Sequence, residues 1–198
     1  MKEYNVAVWG LGPHAIKNIL PALEVCPGIN LYGVCSRNAD VVSKHAAEQG
    51  CLGWSDPEEM FEDSKIDTIY VSTPIGLHAS HGKSVLVAKK HLWCEKPLAA
   101  TQAQVLALVG LSRELGLTLA EGYMYLYHPQ FLYLKELLKS QALGDLRNVT
   151  CRFGIPPLER PGFRNDPELG GGAFLDVGSY LISAVTALFP ESTPEVLF

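Results

Sequence analysis

Apolar residues along this chain fall into two rhythms. Through residue 122, short runs rich in β-branched and aromatic side chains occur at 4–9, 30–36, 68–72, 92–94 and 118–121. They alternate with stretches of helical spacing at 14–25, 39–49, 57–62, 78–89 and 102–115. In the last of these Val105, Leu108, Val109 and Leu115 share one face, and Thr101 stands where an N-cap belongs. Strands that are apolar almost throughout, each followed by a helix, predict an α/β fold with a doubly wound parallel sheet covered on both faces.

Beyond residue 122 the rhythm changes. The spacing predicts a helix over 129–143, with Phe131, Leu134, Leu137 and Leu138 apolar and Lys135 and Lys139 exposed. Gly144-Asp145 reads as a turn into a strand at 146–153, followed by a long Pro-, Gly- and Arg-rich loop over 154–172. A loop of that length reads as functional. A closing helix over 174–189 carries Asp176 and Tyr180 four residues apart. The division expected is a first domain at 1–122 and the start of an α+β second domain at 123–198.

Composition narrows the function classes. The 198 residues are 47% hydrophobic and 19% charged, so one full core and part of another can form. A net charge of −5 with no block of Lys or Arg argues against a nucleic-acid or acidic-membrane partner. Cys26, Cys35, Cys51, Cys94 and Cys151 are scattered without a Cys-x-x-Cys pair, which suits free thiols in a reducing compartment. Met1-Lys2-Glu3-Tyr4 enters a strand without a leader pattern, and no apolar run approaches the ~20 residues of a membrane span. The expectation is a cytoplasmic protein.

Chemistry concentrates at strand ends. Gly10-Leu11-Gly12-Pro13-His14-Ala15 stands between the first strand and the first helix as G-x-G-x-x-A, a dinucleotide fingerprint. Gly10 permits the tight turn and Gly12 lets the backbone approach a pyrophosphate. Ala15 packs the helix close to the strand, and Pro13 costs nothing in the first helical turn. A ligand-free βα turn is the alternative. The second strand ends in Ser36-Arg37, where an NAD-selective site places Asp or Glu. A hydroxyl and a guanidinium suit a 2′-phosphate, so NADP is expected over NAD.

Ser72-Thr73-Pro74 ends the run at 68–72 with small residues, against which a flat cofactor can lie. His78 and His81 lie at i, i+3 with no acidic partner near in sequence. Rather than zinc ligands, His78 reads as a helix-start hydrogen-bonder and His81 as a partly exposed one. The strand at 92–94 ends in Glu95-Lys96-Pro97, where Pro97 restricts the lysine backbone and a cis bond is open to it. Asp176 and Tyr180 can hold a substrate hydroxyl and supply a proton, given a cation such as Lys96 near a phenol that titrates at about 10. Equally, Asp176 can cap its helix and Tyr180 simply pack.

Taken together, G-x-G-x-x-A at 10–15, STPIGLH at 72–78, CEKPLA at 94–99, EGYMYLYHPQ at 121–130 and FRNDPELGGGAFLDVGSY at 163–180 resemble the glucose–fructose oxidoreductase/inositol dehydrogenase (Gfo/Idh/MocA) family. The resemblance implies a Rossmann domain binding NAD(P), and a second α/β domain whose open sheet faces the cofactor. It implies hydride transfer between nicotinamide and a sugar-like alcohol or ketone. Lys96 matches the lysine at the reacting oxygen, Asp176 the pocket aspartate, and Tyr180 the acid/base position; these are the catalytic candidates. Cofactor contacts are expected from Gly10, Gly12, Pro13, His14, Ala15, Ser36, Arg37, Thr73, Pro74, His78, Glu95 and Lys96. Substrate contacts are expected from Lys96, Tyr123, His128, Arg164, Asp176 and Tyr180, with no metal.

Tyr180 rather than His points to the branches holding glucose–fructose oxidoreductase, dihydrodiol dehydrogenase and deoxysugar ketoreductases. Leu126, where many members have Arg, resembles the nucleotide-sugar 3-ketoreductases. Family members normally continue well beyond this length, and a homo-oligomer is expected if the full second domain exists. A fragment, or a shortened homologue that binds nucleotide without turnover, is the other reading.

Overall fold

The computed structural model describes residues 3–157, 159, 162–192 and 195. Met1 and Lys2, and Leu158, Arg160 and Pro161 of the expected loop, lie outside the described residues, as do 193–194 and 196–198. The chain divides into two compact units, Met1–Gly122 with Glu168–Gly170, and Tyr123–Pro167 with Gly171–Phe198.

In the first unit six parallel strands, β1 (Tyr4–Trp9), β2 (Ile29–Cys35), β3 (Leu52–Trp54), β4 (Thr68–Val71), β5 (His91–Cys94) and β6 (Leu119–Glu121), form one sheet in the order β3-β2-β1-β4-β5-β6. This is the doubly wound arrangement that strand and helix alternation predicts. The pleat sends Val6 and Val8 to one face, packed with Leu20, Leu23 and Val42, and Ala7 and Trp9 to the other, packed with Met60, Val85, Leu86 and Leu108. Strand order reverses between β1 and β4, so the crevice that receives ligands in such sheets opens at the carboxyl ends of these two strands.

β3 was not apparent from the pattern. It has three residues with Gly53 in the middle, too short for a period, and is defined by its pairing with β2. That pairing needs Gly33, because a Cβ there would run into the Trp54 ring.

Side chains set the helix starts. Asn38 caps α2 (Ala39–Gln49) by accepting from the Asp40 and Val41 N–H groups, and Asp56 caps α3 (Pro57–Glu62) through the Glu58 N–H. Thr101 and Gln104 form a reciprocal capping box on the helix Gln102–Glu114. The helix expected at 78–89 instead runs Ile75–Val87, three residues earlier. Pro74 pre-sets its entry, and the Pro74 carbonyl accepts the Leu77 N–H. The stretch expected as one helix at 14–25 becomes helical at Pro13, passes through a π turn at Ala15–Ile19, and continues as α1 (Leu20–Val25). Pro21 has no N–H to return to Lys17, and the Leu20 N–H reaches back to the Ala15 carbonyl. With the helices Ile75–Val87 and Gln102–Glu114 numbered α4 and α5, the first unit is complete.

The second unit holds a 3-10 turn at Met124–Tyr127, α6 (Pro129–Lys139), 3-10 turns at Gly162–Asn165 and Pro167–Leu169 (of which Glu168–Leu169 belong to the first unit), and a π turn at Phe174–Gly178 leading into α7 (Ser179–Leu188). α6 stops short of the expected residue 143, where the Ser140 hydroxyl turns back to the Glu136 and Leu137 carbonyls. The strand expected at 146–153 is absent. A strand needs a neighbour for its N–H and C=O groups, and among the described residues of this unit none lies alongside. The expectation of no long apolar run also needs correction. Pro167–Leu188, 22 residues with a mean hydropathy of 1.3 in its most apolar window, is long and apolar enough to cross a membrane by length and composition. Glu168, the Gly170–Gly172 triplet and the buried carboxylate of Asp176 interrupt it.

Candidate dinucleotide and reaction site

The phosphate loop is built as its glycines require. Gly10 has φ +108°, and a Cβ on it would lie 2.6 Å from the Ser72 carbonyl oxygen at the end of β4. Its N–H donates to the Cys35 carbonyl at 2.9 Å, tying the loop to β2. Gly12 differs: a Cβ there would meet nothing within 4 Å, so that side of the loop is open space. Ala15 is fully buried and Pro13, where the helix begins, is exposed. An open glycine facing a helix start is the cradle a pyrophosphate fits.

At the end of β2, Ser36 is half-buried and anchored by its N–H to the Trp54 carbonyl at 3.2 Å, and Arg37 is exposed. No carboxylate occupies either position.

The β5 end is organised by Glu95. Glu95 is 8% exposed, and its carboxylate accepts from the Tyr70 hydroxyl, from His14 Nε2 at 3.0 Å and from the Lys96 N–H at 3.2 Å. Asn18 Nδ2 donates to His14 Nδ1 at 3.1 Å, which leaves Nε2–H to donate to Glu95. Burial alone would raise this carboxyl. Hydrogen bonds from His14, Tyr70 and the Lys96 N–H outweigh burial and hold it below the usual carboxylate value. Both Glu95 oxygens are thus occupied within the protein, and the residue anchors the Lys96 turn rather than standing open to a nucleotide. A carboxyl whose folded value is depressed stabilises above its unfolded value of 4.5 and loses that contribution as pH falls through the folded one. Glu95→Gln is therefore expected to cost about 1–3 kcal/mol at pH 7. The gap to the parent in urea unfolding should shrink below pH 4.5; a gap that stays constant there would contradict an ionised Glu95.

Lys96 itself is half-buried, and its bond to Pro97 is cis. The turn is held further along by the Leu98 N–H, which donates to Glu121 Oε1 at 2.7 Å. His78, expected among the cofactor contacts, is 1% exposed, with Nδ1 2.8 Å from the Pro97 carbonyl and Nε2 2.8 Å from the Thr73 carbonyl. Both nitrogens face backbone, so this expectation is corrected: His78 has no edge left for a ligand. His81 stacks on Trp9, with centroids 3.9 Å apart, and lies 3.0 Å from the Thr73 hydroxyl. Among the described residues no cluster of three metal-ligating side chains occurs.

In the second unit Asp176 is 6% exposed and pairs with Arg164 Nε at 2.6 Å. It lies inside the π turn at Phe174–Gly178, so helix capping is not its role. The glycines make the pairing possible. A Cβ on Gly171 would lie 2.5–2.7 Å from the carbonyl oxygens of Phe163, Arg164 and Asp166, and the Gly172 N–H donates to the Arg164 carbonyl at 2.9 Å. Tyr180 sits in an aromatic cluster with ring centroids of Tyr123, Tyr125 and Phe153 at 5.5, 5.8 and 5.2 Å, and its hydroxyl reaches Met124 Sδ at 3.8 Å. His128 is exposed and caps α6, its Nδ1 accepting the Gln130 N–H at 3.2 Å.

A cavity of about 350 Å³ opens among Tyr4, Thr68, His91 and Thr118 at the amino-terminal strand ends, lined by none of the candidate site residues.

Comparison with known proteins agrees with this geometry. Residues 4–123 match the model of the GFO/IDH/MocA oxidoreductase family, NAD-binding Rossmann fold, and residues 131–197 match the GFO/IDH/MocA C-terminal domain. A dTDP-3,4-didehydro-2,6-dideoxy-α-D-glucose 3-reductase of Saccharopolyspora spinosa is 37% identical over 179 residues, 90% of this chain and 54% of that protein. A trans-1,2-dihydrobenzene-1,2-diol dehydrogenase of Xenopus tropicalis is 36% identical over 180 residues, 88% of this chain and 53% of that one. The crystal structure of a 3-ketoreductase from Actinomadura kijaniata in complex with NADP and TDP-benzene superposes with a TM-score of 0.89 at 33% identity, covering 95% of this chain and 58% of the other. The chain spans about half the length of the curated relatives it matches.

Proposed function

This chain belongs to the Gfo/Idh/MocA family of oxidoreductases, and from that premise we propose that it binds NADP on its first unit and reduces a keto group on a nucleotide-linked sugar. The observation that carries the reading is the open phosphate loop at Gly10–Gly12 beside a second-strand end that offers Ser36 and Arg37 in place of a carboxylate. Leu126 and the likeness to a dTDP-deoxyhexose 3-reductase favour a 3-keto sugar as substrate.

When bound, the nicotinamide supplies hydride to the ketone carbon. The protein's own groups do the rest. Gly12 and the helix start at Pro13 receive the pyrophosphate, and Ser36 and Arg37 receive the 2′-phosphate. By the family resemblance, Lys96, on a turn fixed by Glu95, takes the place of the lysine at the reacting oxygen, and Tyr180 that of the acid/base group. Asp176, oriented by Arg164, accepts a hydrogen bond from a sugar hydroxyl, while Tyr123 and His128 border the sugar.

The test begins with NADPH and NADH titrations by fluorescence. Arg37→Ala is expected to weaken NADPH about 10-fold or more, the scale of one charge-assisted hydrogen bond, and to leave NADH nearly unchanged. Tighter binding of NADH than NADPH by the parent chain would refute the Ser36/Arg37 reading. Turnover with NADPH and dTDP-3,4-didehydro-2,6-dideoxy-α-D-glucose then decides the reaction. Nucleotide binding without turnover on any keto sugar would identify a nucleotide-binding chain instead of an enzyme.

A further inference from the structure

α4 sends two histidines, one helical turn apart, toward the sheet, and both touch Thr73. His81 Nδ1 lies 3.0 Å from the Thr73 hydroxyl, and His78 Nε2 lies 2.8 Å from the Thr73 carbonyl. The other nitrogen of His78 reaches a different strand end, 2.8 Å from the Pro97 carbonyl that follows Lys96. One buried side chain therefore spans the turns after β4 and β5. His78 lies 5 residues from its Thr73 contact and 19 from its Pro97 contact. Burial lowers the ring's proton affinity from its usual value, against the pull of the two carbonyls and of Glu95 and with that of Lys96. Each carbonyl accepts a ring N–H at this distance, and a ring carrying one N–H serves the two carbonyls in turn by exchange of tautomer.

We propose that His78 is a positioning residue: it clamps the turn carrying Lys96 to the turn carrying Thr73 and so fixes the two against each other beneath the nucleotide. This rests on the reading that Lys96 and Thr73 line the nucleotide site. His78 touches neither ligand nor reacting atoms; it acts through the backbone of its two partners.

The side-chain geometry offers a test that separates the two arms. Asn places an amide nitrogen near the former Nδ1, facing Pro97, and Gln places one near the former Nε2, facing Thr73. His78→Leu removes both. Amide hydrogen exchange is followed over 70–77 and 94–101 in the whole chain, with β2 as the internal reference, alongside NADPH titration. His78→Leu should speed exchange in both turns and weaken NADPH about 10-fold, as misplaced binding groups do. His78→Asn should keep protection at 94–101, and His78→Gln at 70–77. Unchanged exchange and NADPH affinity in His78→Leu would overturn the clamp. So would a loss of protection spread equally into β2, which marks general destabilisation. If His78→Leu does not fold, the opposed patterns of the Asn and Gln variants decide. If the parent chain binds no NADPH, the functional reading fails and exchange alone judges the clamp.

Discussion

Lys96→Ala and Tyr180→Phe should each lower turnover at least ~100-fold, the lower end for a positioned acid–base group, while NADPH affinity stays within about threefold. Each change deletes the functional atom while the surrounding framework stays in place. The backbone at Lys96 is set by Glu95 below it, by the cis bond to Pro97 and by the Leu98–Glu121 hydrogen bond, so alanine there deletes the ammonium and leaves the turn. In Tyr180→Phe the ring keeps its contacts with Tyr123, Tyr125 and Phe153, while the hydroxyl that reaches the Met124 thioether at 3.8 Å is lost. A loss confined to turnover separates chemistry from binding. Steady-state rates with NADPH and the dTDP-linked keto sugar, read beside nucleotide titrations, provide the check. Normal turnover in both variants would sink the assignment.

The second large effect divides two neighbouring glycines. Gly10→Ala must place a Cβ 2.6 Å from the Ser72 carbonyl oxygen at φ +108°, and backbone cannot yield as a flexible side chain can. Backbone strain and overpacking together are expected to cost about 2–5 kcal/mol, seen as a lower unfolding midpoint in urea before any nucleotide is added. Gly12→Ala meets nothing within 4 Å and has no unusual φ, so its unfolding midpoint should match the parent. Its methyl group instead fills the space through which the backbone approaches a pyrophosphate, and NADPH should bind about 10-fold more weakly or worse. One variant is thus a stability mutant and the other a binding mutant. If Gly12→Ala bound NADPH like the parent, the loop would not be a phosphate cradle.

The first unit was legible in the sequence because its information is local. β1, β2, β4, β5 and β6 are apolar runs bounded by polar turns, and Thr101 announces the N-cap of α5. Gly10, Gly12 and Ala15 are read from spacing alone because the turn geometry depends on few residues. What escaped depends on distance along the chain. β3 exists only through its ladder with β2, and the strand expected at 146–153 fails for lack of such a ladder. The same holds in the site. Glu95 was read as a possible cofactor contact, but its partners Tyr70 and His14 lie 25 and 81 residues away, and nothing in the CEKPLA block points to either. Tyr70 did carry a signal: a phenol in an otherwise apolar buried strand needs a polar partner. His78 was expected among the cofactor contacts together with its motif neighbours Thr73 and Pro74; its burial came from the fold. Arg164 and Asp176 were both singled out, but their pairing was not, since it depends on how closely Gly171 lets the chain approach itself.

The carboxylate of Glu95 also bears on how this site can vary. Tyr70, His14 and the Lys96 backbone all donate to one buried charge, so losing the carboxylate would strand two side-chain donors, and losing a donor would leave that charge short of a partner. Residues 14, 70 and 95 are therefore tied as a heritable set, free to drift together and held back from drifting singly. Asn18, at the exposed end of the same chain of hydrogen bonds, carries no such restraint.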